Sequence, residues 1–202
     1  MPQARFFALF RLFVRENFFD RELCARLREE MRSGGRAAAT IRTGGASYAV
    51  DPAVRSAKWV EVSDSALCLT DARLREVRPE VQAHFQVSLD GCQRPQFLAY
   101  RPGDFYRPHR DNSQAPDASQ TARERRISVI LFLNSPSEEP AADCYGGGAL
   151  TFYGLMNRPG ASSVGFPLIA AEGLLIAFPS SLLHEVAPVS HGERYTIASW
   201  YR

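Results

Sequence analysis

Tyr100-Arg101-Pro102-Gly103-Asp104-Phe105-Tyr106-Arg107-Pro108-His109-Arg110-Asp111 is the stretch on which the reading of this chain turns. Pro102-Gly103 suits the two centre positions of a type II turn, because proline fixes φ and glycine supplies a positive φ. Before the turn, Gln96-Phe97-Leu98-Ala99-Tyr100 reads as a strand, and after it a second short strand would deliver His109 to a cavity mouth. Residues two apart on a strand point to one face, so His109 and Asp111 can share one ligand while Arg110 points elsewhere. A His-x-carboxylate triplet is weak by itself: with 4 histidines and 22 acids in 202 residues, about 0.4 are expected by chance. The chain holds a second one, His191-Gly192-Glu193, whose glycine and preceding serine read as a tight turn at a hairpin tip.

Working downstream, four strand-like runs follow: Ile127 to Asn134, Ala149 to Tyr153, Leu174 to Phe178 and Arg194 to Tyr201, with Gly146-Gly147-Gly148 breaking the chain before the second. Ile127 to Leu133 is apolar at almost every position, as expected of a strand covered on both sides. Two polar connections, Asn112 to Arg126 and Ser135 to Gly148, have the length of functional lids or disordered segments. His184 and Arg194 complete the pattern. Two imidazoles and one carboxylate (His109, Asp111, His184) form the facial set that holds non-haem Fe(II) and leaves positions open. An arginine after the second histidine is what such a site needs to hold an anionic co-substrate.

Upstream, the N-terminal third reads as mostly helical. Asp20 is an N-cap for a helix over Arg21 to Ser33, with Leu23, Leu27 and Met31 on one face and Gly34-Gly35 ending it. Gly44 to Asp51 reads as a loop. Thr70-Asp71 starts a second helix bearing Leu74, Val77, Val81 and Phe85, which Pro79 should kink or divide; His84 in it is a structural histidine. Met1 to Val14 lacks a clean apolar core followed by a small-residue cleavage site, so it reads as a short strand or helix packing on the domain rather than a signal peptide. Helices first and strands afterwards give an α+β class. Eight short strands would form a double-stranded β-helix, a jelly-roll, cupin-like core with the N-terminal helices packed on the major sheet. Length fits a single domain over 1–202, with 1–92 a mainly helical support region and 93–202 the catalytic β-core. The net charge of +2 gives no reason to expect nucleic acid or a membrane as partner. Four widely spaced cysteines without a CxxC pair fit reduced thiols and a cytoplasmic protein.

The run Tyr100-x-Pro-Gly-x-x-Tyr106-x-x-His109-x-Asp111, then Gly147-Gly148-Ala149-Leu150-Thr151-Phe152, His184-Glu185-Val186 and Arg194-Tyr195-Thr196-Ile197-x-x-Trp200-Tyr201 resembles the prolyl 4-hydroxylase branch of the Fe(II)/2-oxoglutarate-dependent dioxygenases, nearest to the bacterial and hypoxia-inducible-factor prolyl hydroxylases. The resemblance covers Gln93 to Arg202. It implies that His109, Asp111 and His184 ligate Fe(II) and that Arg194 pairs with the distal carboxylate of 2-oxoglutarate. Thr196 and Tyr100 would assist at the co-substrate, while Tyr106 and Trp200 would line the substrate pocket. It implies O₂ as second co-substrate and ascorbate as an accessory reductant. One position departs from the hypoxia-factor enzymes: Leu131 stands where they carry a co-substrate-binding tyrosine. The implied activity is prolyl hydroxylation of a protein or peptide, with release of succinate and CO₂. The alternatives are hydroxylation of a free amino acid or small metabolite, and a non-catalytic β-barrel binding or sensing module. A nucleic-acid demethylase is disfavoured by Tyr195-Thr196 following Arg194, where such relatives resemble Arg-x-Asn.

Overall fold

Every residue of the last strand, Arg194–Tyr201, is buried, so that strand is covered on both faces. Its side chains alternate between two cores: Tyr195, Ile197 and Tyr201 enter one, Ala198 and Trp200 the other. The computed structural model describes residues 7, 9–10, 12–42, 48–115, 118–156 and 160–202. In chain order the elements are β1 (Phe13–Arg15), α1 (Arg21–Ser33), β2 (Arg36–Ala38), β3 (Ile41–Arg42), β4 (Tyr48–Ala49), β5 (Lys58–Val60), α2 (Asp64–Phe85), β6 (Gln96–Tyr100), β7 (Tyr106–His109), α3 (Gln120–Glu124), β8 (Ile127–Phe132), β9 (Tyr145–Gly147), β10 (Leu150–Tyr153), β11 (Gly165–Leu168), β12 (Leu175–Pro179), β13 (His184–Val186), β14 (Val189–Gly192) and β15 (Arg194–Tyr201).

A seven-stranded sheet runs β1-β12-β8-β15-β6-β5-β2, a four-stranded sheet β11-β10-β13-β7, and β14-β9 and β3-β4 form two-stranded pairs. The pairings between these strands are antiparallel. The outer core holds Leu27 and Met31 of α1 and Leu74, Val77 and Val81 of α2 together with Phe97, Val129, Leu131, Ala177 and Ile197 of the large sheet. Burying each such aliphatic side chain contributes about 2 kcal/mol. The inner core joins Leu98, Phe132, Ile176, Phe178 and Trp200 of the large sheet to Leu150, Phe152, Leu168 and Val186 of the small one. The two sheets therefore pack face to face in a jelly-roll arrangement, and the site lies between them.

Local signals explain several elements. Asp20 accepts from Leu23 N at 2.8 Å and starts α1. Gly103 has φ +88° and Asp104 N donates to Arg101 O at 2.8 Å, closing the turn that Pro102 opens. Other expectations need correction. α2 begins six residues earlier than Thr70, because Ser63 caps it by accepting from Ala66 N. It also runs unbroken through Pro79, which is exposed, so the stranded carbonyl one turn back can be hydrated. The N-terminal third is not only helical: β2 and β5 extend the large sheet beyond β6. Three-residue edge strands such as Arg36–Ala38 are too short to show a period. Strand β9 falls inside the expected loop 135–148, and α3 inside the expected loop 112–126. His191-Gly192-Glu193 is not a hairpin tip, since β14 pairs with β9 while β15 joins the large sheet. Of the expected loop Gly44 to Asp51, Gly44 to Ser47 lie outside the described residues, and Tyr48–Ala49 pair with Ile41–Arg42. Of Met1 to Val14, residues 1–6, 8 and 11 lie outside the description, while Phe7 and Leu12 are buried and Phe13 and Val14 pair in β1. No helix among the described residues is long and apolar enough to cross a membrane, and the four cysteines stand unpaired.

Candidate metal centre and anion pocket

His109 ends β7 and His184 opens β13; the two are Cα partners across that ladder, and their ring centroids lie 4.2 Å apart. Asp111 does not share a strand face with His109. β7 stops at His109, and Asp111 reaches the site from the bend beyond it, where its backbone N–H donates to Ser180 O at 2.9 Å. Asp111 Oδ1 is 3.6 Å from His109 Nε2, and Oδ2 is 3.6 Å from His184 Nε2. Donor atoms of the three side chains all lie within 4.8 Å of one another, the only such metal-ligating trio among the described residues.

The surrounding hydrogen bonds fix the chemistry of these donors. His109 Nδ1 is 2.8 Å from Arg107 O and His184 Nδ1 is 2.9 Å from Leu182 O. A carbonyl only accepts, so each Nδ1 carries the proton and each Nε2 keeps its lone pair for the side facing Asp111. Ser128 Oγ donates to Asp111 Oδ2 at 2.6 Å and sits 2.9 Å from Ser180 Oγ. Burial alone would raise the Asp111 carboxyl, but the neighbouring His184 and His109 rings and the hydrogen bond from Ser128 override it and hold it well below the usual carboxylate range. Burial, with His109 nearby, pushes His184 down to about 4. An anionic carboxylate beside neutral imidazole nitrogen is the donor set a divalent transition metal takes, and three ligands leave positions open.

A second charged feature lies deeper. Arg194 is 1% exposed. Its guanidinium carbon lies 5.0 Å from the Tyr100 ring centroid and 5.1 Å from that of Phe132, and Nη1 donates to Thr196 Oγ1 at 3.3 Å. Among the described residues no carboxylate pairs with it, and its Nε has no partner. A buried cation with unspent donors fits a carboxylate from outside the fold. Tyr145, also fully buried, lies against Arg194; burial raises its phenol and the guanidinium opposes that. Gly148 permits this contact. At φ +59°, a Cβ there would stand 3.0 Å from Arg194 Cδ and 3.3 Å from the Tyr145 ring.

Tyr100, Tyr106, His109, Asp111, His184, Arg194, Thr196 and Trp200 all line one cavity of about 980 Å³. Tyr106 stacks on His109 at 3.5 Å between centroids, and burial pushes its phenol up to about 12. Trp200 carries the Arg125 guanidinium 3.7 Å above its ring. The reading of Leu131 is overturned: it enters the outer core against the helices, while its neighbour Ile130 lines the cavity. A tyrosine at 131 would point away from Arg194, and the phenol that meets Arg194 comes from Tyr145. Sequence reasoning missed Tyr145 because Gly146-Gly147-Gly148 read only as a break; an aromatic abutting glycines was the available signal. Glu193 of the second triplet binds Arg36 and Arg101.

The family model of the 2OG-Fe(II) oxygenase superfamily matches residues 95–202. Among curated proteins, a PKHD-type hydroxylase of Maricaulis maris is 32% identical over 133 residues, 63% of this chain and 52% of the relative. One of Phenylobacterium zucineum is 29% identical over 168 residues, 73% of this chain and 68% of the relative. The chain spans about half the length of the first of these. Among solved structures, a Pseudomonas putida prolyl-4-hydroxylase aligns with a TM-score of 0.67 at 22% identity, covering 95% of this chain and 91% of that one. A Trichoplax adhaerens prolyl hydroxylase in complex with a hypoxia-inducible-factor peptide fragment aligns with a TM-score of 0.68 at 20% identity, covering 94% and 82%. With the family model spanning more than half of the chain, and the triad of His109, Asp111 and His184 inside the matched region, this chain belongs to the 2OG-Fe(II) oxygenase superfamily.

Proposed function

We propose that this chain catalyses Fe(II)- and 2-oxoglutarate-dependent hydroxylation of prolyl residues in a protein or peptide. The observation that carries the reading is Arg194, a buried guanidinium with no carboxylate partner among the described residues, opening on the same cavity as the His109, Asp111 and His184 donors. His109, Asp111 and His184 hold Fe(II); Arg194 binds the distal carboxylate of 2-oxoglutarate, with Thr196 beside it on the same strand face. Tyr145 positions Arg194 from behind, and Tyr100 covers its face. The chemistry such a centre supplies is decarboxylation of 2-oxoglutarate to succinate and CO₂, coupled to insertion of one oxygen atom of O₂ into a C–H bond, with ascorbate as accessory reductant.

The chain's own part is positioning and exclusion of water. Ser128 locks the Asp111 carboxylate in one orientation, and the two backbone carbonyls lock the imidazole tautomers. Leu98, Ile130, Leu150, Val186 and Ala198 make the wall between arginine and metal donors apolar, which strengthens the Arg194–carboxylate attraction by lowering the local dielectric. Tyr106 and Trp200 flank the route by which a target residue reaches the centre.

Anaerobic titration with Fe(II) and then 2-oxoglutarate tests the centre through its visible charge-transfer band. The band is expected in the parent protein, absent in His184→Ala, and needing far more 2-oxoglutarate in Arg194→Met. No band in folded, metal-supplied protein would sink the reading. Mass spectrometry of proline-containing peptides then tests the substrate; oxygen added only to free small molecules would replace the peptide with a metabolite.

A further inference from the structure

The chain is near charge parity, with 24 basic and 22 acidic residues, but its concave surface is not. The main cavity is lined by Arg55, Arg94 and Arg110 around its mouth, and its only acid is Asp111, which faces the two histidines. A second hollow of about 600 Å³ shares Asn112 and Arg125 with the first, carries Arg126, and has no acid in its lining. Among the described residues Arg55, Arg94, Arg110 and Arg126 have no carboxylate partner within ion-pair distance. Arg55 is more than nine-tenths buried, lies 4.7 Å above the Tyr106 ring, and has an unpartnered Nε. Desolvated, stacked arginine is a rigid fork for a bidentate acid.

We infer that the substrate is an acidic polypeptide segment, whose Asp or Glu side chains flank the target residue and are held by Arg55, Arg94 and Arg110 at the mouth and by Arg126 in the adjoining hollow. This rests on the proposed peptide hydroxylation. A phosphate backbone would offer the same charge, but single-stranded nucleic acid also needs open aromatic faces for stacking. Here Arg55 covers Tyr106 and Arg125 covers Trp200, which leaves Trp59, 38% exposed, as a single open face where successive bases would need several. Asn112, shared by the two hollows, and Gln114 in the second instead offer amides to a peptide main chain.

The test is fluorescence anisotropy of labelled proline peptides on protein loaded anaerobically with Mn(II) and 2-oxoglutarate. Peptides with Asp and Glu flanks are compared with Asn and Gln isosteres and with a single-stranded oligonucleotide of equal charge. The acidic peptide is expected to bind on the order of ten-fold tighter than its amide twin, with the gap closing between about 50 and about 500 mM salt. Arg94→Gln, Arg110→Gln and Arg126→Gln, all at exposed positions, are expected to narrow the gap step by step, and Arg55→Gln to narrow it most. Equal binding of the twin peptides, or tighter binding of the oligonucleotide, would overturn the inference. Succinate release measured on the same protein with Fe(II) and air keeps the two readings apart. Turnover without an acidic preference overturns only this inference; an acidic preference without oxygen addition to any peptide upholds the acidic ligand and overturns the reaction.

Discussion

Arg28 and Arg194 are both buried guanidinium groups, on opposite faces of the same sheet, and the fold treats them differently. Arg28, on the helix side, donates to Leu133 O and to the Glu172 carboxylate, with Asp143 Oδ2 3.5 Å away. Arg194, on the cavity side, has a threonine, a tyrosine and two aromatic faces. Moving a cation out of water costs several kcal/mol unless an anion meets it. Arg28 is neutralised by the chain itself, so its role is architectural. Arg194 is left for a counter-ion that arrives from solution, and a fold that carries such a cost does so at a binding site.

The comparison breaks if the two arginines respond alike to truncation. Arg194→Met is expected to weaken 2-oxoglutarate binding by about 10²-fold or more, about 3 kcal/mol for a charge-assisted bidentate contact, with little loss of thermal stability. Arg28→Met should do the reverse, costing about 3 kcal/mol by leaving Glu172 unpaired in a partly buried place, with 2-oxoglutarate affinity unchanged. Thermal unfolding and the charge-transfer titration, run on both variants, read the crossover; parallel losses would end the distinction. Ligand-linked stability sharpens it. With metal present and 2-oxoglutarate at a hundred times its Kd, the parent and Arg28→Met should each gain about 2.7 kcal/mol, and Arg194→Met close to nothing. A smaller effect attends Tyr145→Phe, which removes a group that positions Arg194: about 1 kcal/mol, or several-fold in 2-oxoglutarate affinity, without loss of metal binding.

The smallest effect concerns a third arginine site. Burial alone would raise Glu193, but hydrogen bonds from Arg36, Tyr195 and Arg101 hold it down at about 2. A carboxylate depressed on folding stabilises the native state above its unfolded pKa, and that contribution fades as pH falls toward the folded value. Stability should therefore drop between about pH 4.5 and about pH 2, by about 0.5 kcal/mol for so partly exposed a cluster. Glu193→Gln should flatten that stretch of the acid-unfolding curve, and an unchanged curve would show that Glu193 contributes nothing there.

The sequence disclosed these regions unequally. Gln96–Tyr100 and Arg194–Tyr201 were legible to the residue, because long buried strands declare themselves by composition. The short strands β2 and β5 were not, since three residues carry no period. The donor trio was legible as residue types, but the route by which Asp111 reaches it was not: a backbone bond to Ser180, distant in sequence, does what strand alternation was expected to do. Leu131 was misread for a related reason. In a run apolar at every position but Ser128, alternation is nearly lost, and little local tells which residues face the helices and which the cavity. Tyr145 became visible only when packing brought β9 against the start of β15.

The alternation along β15 also bears on how a chain of this kind can diversify. Arg194 and Thr196 face the cavity because Tyr195 and Ile197 face the helices. Inserting or deleting one residue there would exchange the two sets at once, so β15 is frame-locked. Changes of length are confined to backbone outside the ladders, and the connection 112–126 lines the cavity through Ser113, Ala122 and Arg125. Substrate preference can thus drift by lengthening or trimming one loop while the reaction centre is inherited intact.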